Sequence, residues 1–203
     1  MWRCALLVVV ATVFAIDKPL AAVLVFGPLI GGVLVEDLRF RGDTRRRARD
    51  RTYWHLQAWQ LAGLVGGVIG AREISSAALP GSGWLWAALG CAVGLAGVAF
   101  RTWAIVVLGR QFTRDLQAGA DHKLVDDGPY RHLRHPSYTG AIAMFCGVGI
   151  GLGNAVSIAA CFVLPAIGYV LRVPREEALL RSVLGERYEH YAGHTDRLLP
   201  GVW

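Results

Sequence analysis

The sequence predicts an all-α integral membrane protein with five to six transmembrane helices, ending in a C-terminal helical hairpin. Hydrophobic residues make up 54% of the 203 residues and charged residues only 18%, whereas soluble domains usually carry about 25% charged residues. Six apolar segments follow one another along the chain, and arginine-rich stretches alternate with nearly neutral ones between them. Because a spanning helix needs about 20 mostly apolar residues, this pattern is typical of a multi-pass membrane protein.

The six apolar segments are separated by residues that favour turns. Pro19 breaks the first two segments apart, and the sequence GLGN at 151–154 separates the last two. Proline is poorly tolerated inside a helix, and glycine and asparagine favour helix ends, so we expect a tight hairpin at each point. The first segment is interpreted as a membrane helix, with a cleaved signal peptide as the alternative. The segments are 4–16, 20–35, 54–70, 84–108, 138–152 and 155–171.

The charge distribution predicts the orientation of these helices. The stretch 36–51 contains seven arginines and four acidic residues, 110–135 and the tail after residue 171 are again basic, and 71–83 is nearly neutral. Because cytoplasmic loops of membrane proteins carry an excess of Lys and Arg, both termini and the basic loops are predicted to be cytoplasmic. The formal charge of +6 then indicates membrane lipids, and not nucleic acid, as the partner of the basic surface.

Two regions are predicted within the chain. Residues 1–109 hold about four transmembrane helices and the basic cytoplasmic loop 36–53. Residues 110–203 hold a polar loop, the helical hairpin 138–171 and a cytoplasmic C-terminal segment. The polar residues that are capable of chemistry therefore fall on the cytoplasmic face.

Neither the cysteines nor the histidines follow a metal-binding pattern. The four cysteines lie singly in apolar runs without a Cys-x-x-Cys pair, and we expect them to be small buried side chains. His132 and His135 are three apart, and His190 and His194 are four apart, spacings that can place two ligands on one helix face. No third ligand completes either set, so no metal site is predicted.

The sequence RHPSY at 134–138 runs directly into the fifth apolar segment. Pro136 biases His135 toward an extended backbone, and proline is favoured at the first position of a helix. A helix is therefore predicted to begin at or after His135, and its free backbone N–H groups could receive an anion such as a carboxylate. The alternative is an interfacial anchor, since Tyr, Arg and His are common at the headgroup level.

The sequence RVPREEALL at 172–180 follows the sixth apolar segment. Arg172 and Glu176 are four apart and would share one face of a helix, with Pro174 accommodated in its first turn. Glu177 points in a different direction from Glu176, so at most one of the two glutamates faces the same site as Arg172. Arg172 can bind a carboxylate through its planar guanidinium, and the alternative is a surface ion pair.

Two segments carry a family resemblance. The sequences HKLVDDGPYRHLRHPSYTG at 122–140 and RVPREEALLRSVLGERYEHY at 172–191 resemble the isoprenylcysteine carboxyl methyltransferase family, within a wider phospholipid methyltransferase-like group. The resemblance covers about half the chain, from residue 101 to the C-terminus. It implies that S-adenosylmethionine is the cofactor, S-adenosylhomocysteine the product, and residues 110–203 the catalytic region, with the cofactor site on the cytoplasmic side.

The same resemblance implies roles for individual residues. Arg172 would bind and orient the methyl acceptor, and Arg172 and Glu176 would be the catalytic residues. The segment 185–191 would close over the site. The implied cofactor-binding residues are Gln117, His122, Lys123, Leu124, Val125, Gly128, Tyr130, Arg134, His135, Pro136, Ser137, Tyr138 and Glu176.

The methyl acceptor is expected to be lipidic or prenylated, with the carboxylate of an isoprenylcysteine-like lipid as the leading hypothesis. A carboxylate is ionised at pH 7, so its methylation requires no general base. N- or S-methylation of a phospholipid amine or a small thiol is the first alternative, and there a base must remove a proton. A non-catalytic lipid-binding protein or a small transporter is the second, although transporters usually place ionisable residues near the bilayer midplane and these apolar segments contain almost none.

Overall fold

The computed structural model describes residues 19–39, 51–109, 124–201 and 203. The predicted segment 4–16 and most of the basic loop lie outside the described residues. Within the described ranges the protein is helical, with two isolated β-bridges and no strand. The helices are α1 (Pro19–Arg39), α2 (Arg51–Glu73), α3 (Gly83–Leu108), α4 (Pro136–Gly151), α5 (Ala155–Leu184) and α6 (Glu186–Ala192), with single 3-10 turns at Ser75–Ala77 and Gly128–Arg131.

Five of the six predicted apolar segments are confirmed as helices, and the protein is an integral membrane protein. Three helices are long and apolar enough to cross a membrane: Leu20–Leu38 of α1, all of α3 and all of α5. By contrast, α4 has only 16 residues, and α2 carries the polar residues His55, Gln57 and Gln60. The total of five to six spans therefore stays a prediction.

The predicted turn at 151–154 is confirmed and identifies one end of the bundle. Gly153 has φ +65, a left-handed conformation that glycine adopts readily. The Asn154 side chain caps α5 by accepting hydrogen bonds from the backbone of Val156 and Ser157. It also donates to the Ile74 carbonyl at 2.8 Å, so the α2–α3 connection and the α4–α5 turn lie at the same end.

The other end of the bundle gathers α1, α3 and α4. The Arg101 guanidinium in α3 forms an ion pair with Glu36 in α1 and also donates to the Ser137 carbonyl in α4 at 2.6 Å. These residues border the basic loop and the sequence RHPSY. The charged and polar segments of the chain therefore converge at this end.

Glycines allow α3 and α4 to pack closely as an antiparallel pair. A β-carbon on Gly147 would lie 2.6 Å from the Gly94 nitrogen, and one on Gly97 would lie 2.7 Å from the Met144 nitrogen. Both distances are shorter than a side chain can tolerate, so only glycine fits. Small residues commonly let membrane helices approach in this way, and the contact places the start of α4 beside the end of α3.

The helices α2 and α5 form a second antiparallel pair. Along the stripe on α2 that faces α5, a β-carbon on Gly70 would contact Val156, and one on Gly63 would contact Pro165. Gln60 donates to the Tyr169 hydroxyl at 2.8 Å. This register brings the first turn of α2 opposite the part of α5 that follows Tyr169.

The structure corrects the predicted course of the last long helix. Pro174 does not lie in the first turn of a new helix, because α5 continues unbroken through Pro165 and Pro174 to Leu184. The apolar pattern stops at residue 171 where the helix leaves the apolar region, but a helix can continue in water since its hydrogen bonds are internal. Gly185, with φ +55, then separates α5 from the short α6.

Candidate functional site

The Gly128–Arg131 turn lies against α3. Gly128 has φ +55, and a β-carbon there would lie 3.1 Å from Val107, so both the backbone conformation and the space favour glycine. Tyr191 in α6 fixes the turn by donating from its hydroxyl to the Tyr130 carbonyl at 2.9 Å. Burial raises the pKa of the Tyr191 phenol above its ordinary value, so it stays a hydrogen-bond donor at neutral pH.

The predicted helix start at RHPSY is confirmed. His135 is the N-cap residue, with φ −126 and ψ 53, and α4 begins at Pro136. The N–H groups of Tyr138 and Thr139 donate to the His135 carbonyl, and those of Arg134 and His135 donate to the carbonyls of residues 196 and 197. These four N–H groups are therefore engaged within the protein, and an anion at this helix start stays a prediction.

The His135 ring is buried and stacks on a neighbouring aromatic ring. The planes of His135 and Tyr138 are 7° apart, with ring centroids separated by 5.4 Å. The His135 Nε2 atom has no hydrogen-bond partner among the described residues and lies 3.6 Å from a Glu177 carboxylate oxygen. A buried polar atom without a hydrogen bond costs free energy, so a ligand that supplies a partner would be stabilised here.

Tyr138 links the two residues that the sequence RVPREEALL predicts to act together. The Tyr138 hydroxyl donates to the Glu176 carboxylate at 2.5 Å, and Arg172 Nε donates to the same hydroxyl at 3.0 Å. Arg172 Nη1 also lies 3.4 Å from the Thr52 hydroxyl at the start of α2. Arg172 is only 4% exposed, so its guanidinium is held in one orientation within a site sheltered from water.

The neighbouring glutamate, Glu177, forms a separate ion-pair cluster. Its carboxylate accepts from Arg134 Nε at 2.8 Å and from Arg197 Nη2 at 3.1 Å, and it lies 3.5 Å from Arg181 Nη2. Arg134 also donates to the Ala192 carbonyl at 2.8 Å. The prediction that Glu176 and Glu177 point in different directions is thus confirmed, since Glu176 contacts Tyr138 and Glu177 contacts the arginines.

The described residues after α6, 193–201 and 203, form a C-terminal segment that packs at this end of the molecule. It runs alongside residues 132–139, with a parallel bridge between Leu133 and Asp196, and the Thr139 hydroxyl donates to the Leu198 carbonyl at 2.6 Å. Hydrogen bonds that Arg197 donates to the Glu177 carboxylate raise the pKa of the Arg197 guanidinium above its ordinary value. The segment therefore ties α6 to the start of α4 and closes the Glu177 cluster from outside.

A cavity of about 540 Å³ lies beside the Gly128–Arg131 turn, within the size range of small-molecule sites. Of the described residues that were predicted to bind the cofactor, only Gly128 lines it. Arg172 and Glu176 do not border it, so this cavity is not where those two residues meet. Its lining consists of Phe100, Trp103, Gly128, Pro129, Arg131, His132, Leu133, His194, Asp196 and Pro200.

The structure brings some of the predicted site residues into contact and leaves others apart. It joins Tyr138, Arg172 and Glu176 through hydrogen bonds, with His135 stacked on Tyr138. The guanidinium of Arg134 is instead occupied by protein partners, and its cofactor role stays a prediction. Leu124 and Val125 are half-buried at the start of a described range, while Pro136 and Ser137 are buried in the first turn of α4. Gln117, His122 and Lys123 lie outside the described residues.

Sequence reasoning missed Glu177 as an ion-pair centre, and also Thr52 and Tyr169. The signal for Glu177 was its position beside Glu176, which turns the two side chains to different faces. Thr52 and Tyr169 reach the site only through the packing of α2 on α5, which local patterns do not reveal. In the part of the chain that the structure describes, no group of three or more His, Cys, Asp or Glu residues could hold a metal ion.

The fold and the site define an integral membrane protein of packed helices with a buried polar centre at one end of the bundle. Comparison with known proteins then shows which family part of the chain resembles. Residues 88–182 match the model of the isoprenylcysteine carboxyl methyltransferase (ICMT) family, and the resemblance predicted from the two motifs is confirmed over these residues. Tyr138, Arg172 and Glu176 all lie inside the matched region.

Individual relatives support the same match. The chain is 33% identical over 121 residues to the probable protein-S-isoprenylcysteine O-methyltransferase of Oryza sativa subsp. indica, which covers 59% of this chain and 63% of the relative. It is 32% identical over 121 residues to protein-S-isoprenylcysteine O-methyltransferase B of Arabidopsis thaliana, covering 59% and 61%. The matches therefore span less than two thirds of these relatives.

A solved structure shares the fold. The structure of the eukaryotic intramembrane Ras methyltransferase ICMT superposes on this chain with a TM-score of 0.54 at 21% sequence identity. The superposition covers 90% of this chain and 75% of the other. At this identity the likeness establishes the helical membrane architecture, and it extends into the N-terminal helices that the family model leaves unmatched.

Proposed function

We propose that this protein is an S-adenosylmethionine-dependent membrane methyltransferase that O-methylates the carboxylate of an isoprenylcysteine-like lipid. The observation that carries the proposal is the hydrogen-bonded chain from the buried Arg172 through the half-buried Tyr138 to the half-buried Glu176. All three residues lie within the region that matches the family model. This arrangement provides a cation for an acceptor carboxylate and a carboxylate for a cationic cofactor within one site. The relatives named above carry out, by their names, O-methylation of isoprenylcysteine.

The residues present fit such a cofactor. S-adenosylmethionine combines a sulfonium cation, an amino-acid group and an adenine ring, and when bound it supplies an electrophilic methyl group. Glu176 offers a counter-charge, and the His135 Nε2 atom is buried without a hydrogen-bond partner among the described residues. We propose that His135, Ser137, Tyr138 and Glu176 hold the amino-acid end, and that Leu124, Val125 and Tyr130 hold the adenosine end.

The chain's own contribution to methyl transfer is positioning. Arg172 would fix one orientation of the acceptor carboxylate, because its guanidinium is itself held by Tyr138 and Thr52. Fixing the reacting groups in a near-attack geometry can account for a large part of a rate enhancement. Because the acceptor is already ionised at pH 7, no residue has to remove a proton, and burial strengthens the pairing of Arg172 with a carboxylate.

We propose further that the site and both termini face the cytoplasm. The ends of α1 and α5 and the starts of α2 and α4 lie at one end of the bundle. The arginine-rich sequences adjoin these helix ends along the chain, a distribution that favours a cytoplasmic location. A soluble cofactor would enter from that side. A lipid-tailed acceptor would enter laterally from the membrane between the helices.

The test combines a binding and a turnover measurement on detergent-purified protein. We expect calorimetric titration with S-adenosylhomocysteine to show saturable binding, which His135→Ala weakens by about tenfold through the loss of a buried polar partner. Arg172→Ala should retain this binding but lower methyl transfer to N-acetyl-S-farnesylcysteine by at least about 100-fold. His55→Ala, which alters an exposed histidine on α2, should match the wild type in both measurements.

Each part of the proposal can fail separately. An absence of S-adenosylhomocysteine binding in a folded, monodisperse sample would refute the methyltransferase assignment. Loss of that binding in a normally folded Arg172→Ala variant would show that Arg172 serves the cofactor and not the acceptor. An unchanged dissociation constant for His135→Ala would remove His135 from the cofactor site.

A further inference from the structure

A buried stripe on α2 ends at the candidate site with an unsatisfied hydroxyl group. Tyr53 is 4% exposed, and its hydroxyl has no hydrogen-bond partner among the described residues. It lies outside residues 88–182, to which the family model is matched. A buried hydroxyl without a partner costs free energy, so a ligand that accepts a hydrogen bond from Tyr53 would be stabilised.

The register of α2 against α5 places Tyr53 at the level of Arg172. The stripe of α2 facing α5 consists of buried residues at helical spacing: Tyr53, Leu56, Gln60, Gly63, Gly67 and Gly70. Along it, Gly67 faces Ser157 and Cys161, and Gly63 faces Pro165. Gln60 bonds to Tyr169. Leu56, the next stripe position toward the start of α2, packs with Tyr169. Since the two helices are antiparallel, the following position, Tyr53, lies opposite the turn of α5 that carries Arg172.

Two further observations place the Tyr53 side chain at the acceptor end of the site. The adjacent residue, Thr52, already lies 3.4 Å from Arg172 through its hydroxyl. Helical side chains lean toward the N-terminus of their own helix, so the Tyr53 ring leans out of the bundle toward the level of Glu176, one turn beyond Arg172 on α5. The Tyr53 ring itself packs edge-on against the Trp54 ring, with centroids 5.6 Å apart.

We infer that the Tyr53 hydroxyl donates a hydrogen bond to the carboxylate of the methyl acceptor. Tyr53 of α2 and Arg172 of α5 would then recognise the acceptor together. This inference rests on the proposed function and adds a specificity-determining residue from the N-terminal half. Arg172 and Tyr53 would contact the carboxylate from α5 and α2 respectively. A neutral hydroxyl donor favours an anionic oxygen and adds no charge that must be buried when the site is empty.

The test compares Tyr53→Phe with the wild type in acceptor binding. In the presence of saturating S-adenosylhomocysteine, we expect Tyr53→Phe to weaken the binding of N-acetyl-S-farnesylcysteine by roughly 10-fold or more, as for a lost hydrogen bond to a charged group. Binding of the corresponding carboxamide, whose neutral oxygen accepts a weaker hydrogen bond, should weaken by less. The dissociation constant of S-adenosylhomocysteine should not change, and the melting temperature should be equal or higher because an unpaired hydroxyl is removed.

The control is His55→Ala, which alters an exposed side chain on the same turn of α2. It should leave both acceptor affinities unchanged. Equal weakening of the carboxylate and carboxamide ligands in Tyr53→Phe would overturn the inference, because the hydroxyl would then shape the pocket without reading charge. Unchanged carboxylate affinity would overturn it too. If the wild type transfers methyl groups in that case, the proposed function stands; if the wild type neither binds nor methylates the acceptor, the proposed function itself fails.

Discussion

Glu177 shows how a single buried carboxylate organises the surroundings of the site. It is fully buried and pairs with Arg134 and Arg197, from the loop before α4 and from the C-terminal segment. The two neighbouring glutamates of α5 therefore have different partners: Glu176 accepts a hydrogen bond from Tyr138, and Glu177 holds the loop before α4 and the C-terminal segment together. Buried ion pairs contribute little net stability, but breaking one is costly because a charge is left unpaired.

Glu177→Ala should lower the free energy of unfolding by about 3–5 kcal/mol, because it strands the Arg134 guanidinium, whose side chain is only 9% exposed. Glu177→Gln keeps the side-chain volume and should cost less. Thermal unfolding in detergent measures both effects. The control is Glu189→Gln, since Glu189 is 61% exposed in its pair with Arg181 and such surface pairs contribute about 1 kcal/mol or less. Equal melting temperatures for Glu177→Ala and Glu189→Gln would contradict the assignment of Glu177 as the centre of the cluster.

At the level of single residues, the sequence predicted the pairing of Arg172 with Glu176, but it did not predict which other residues contact Arg172. The helical spacing of Arg172 and Glu176 placed them on one face, and the structure joins them through Tyr138. The contact between Arg172 and Thr52 spans 120 positions in the chain. Such a contact depends on helix packing, which no local spacing rule can predict.

Helix pairing depends on glycines at the α3–α4 interface and at the α2–α5 interface. In α3, Gly90, Gly94 and Gly97 are buried on one face, and they meet Gly140 and Gly147 of α4. This spacing of small residues was visible in the sequence, but the partner of the stripe was not, because several helices carry glycine. The pairing positions α4 so that the Ser137 carbonyl reaches Arg101.

Gly97→Val should destabilise the protein by about 1–3 kcal/mol, the usual cost of overpacking, because its β-carbon would lie 2.7 Å from the Met144 nitrogen and 2.8 Å from the Gly140 oxygen. Gly31→Val in α1 is the matched control, since a β-carbon there has no atom within 4 Å. The melting temperatures of the two variants in the same detergent measure the difference. Were Gly31→Val as destabilised as Gly97→Val, the cost would reflect lost glycine flexibility and not helix contact.

Across the whole molecule, hydropathy and turn residues predicted the described helices well and the end of α5 poorly. Five predicted segments became helices, because each needs only a local apolar run and a local break. The predicted end at residue 171 was wrong as a helix end, since α5 continues to Leu184. Charge marks where a segment leaves the apolar region, and it does not mark where the backbone stops being helical. The division of the chain at 109 and 110 stays a prediction.

The proposed orientation of the bundle can be checked with two serine positions at opposite ends. Ser82 precedes α3 and Ser182 lies near the end of α5, and both are exposed. We expect Ser82→Cys to react with a membrane-impermeant thiol reagent in intact cells, and Ser182→Cys to react only after the membrane is opened. The wild type gives the background from the native cysteines. The reverse labelling pattern would invert the proposed topology.

The continuity of α5 has a consequence for the membrane in which the protein works. Thirty helical residues extend about 45 Å, whereas the hydrocarbon core is about 30 Å thick. Arg172 follows the start of the helix by 17 residues, or about 26 Å, and lies near the hydrocarbon–headgroup boundary if α5 begins at the opposite one. Because the length of α5 is fixed, the length of the lipid chains determines how deep Arg172 lies in the membrane. In a thicker bilayer the guanidinium and an acceptor headgroup would no longer meet at the same level without tilting of the helix.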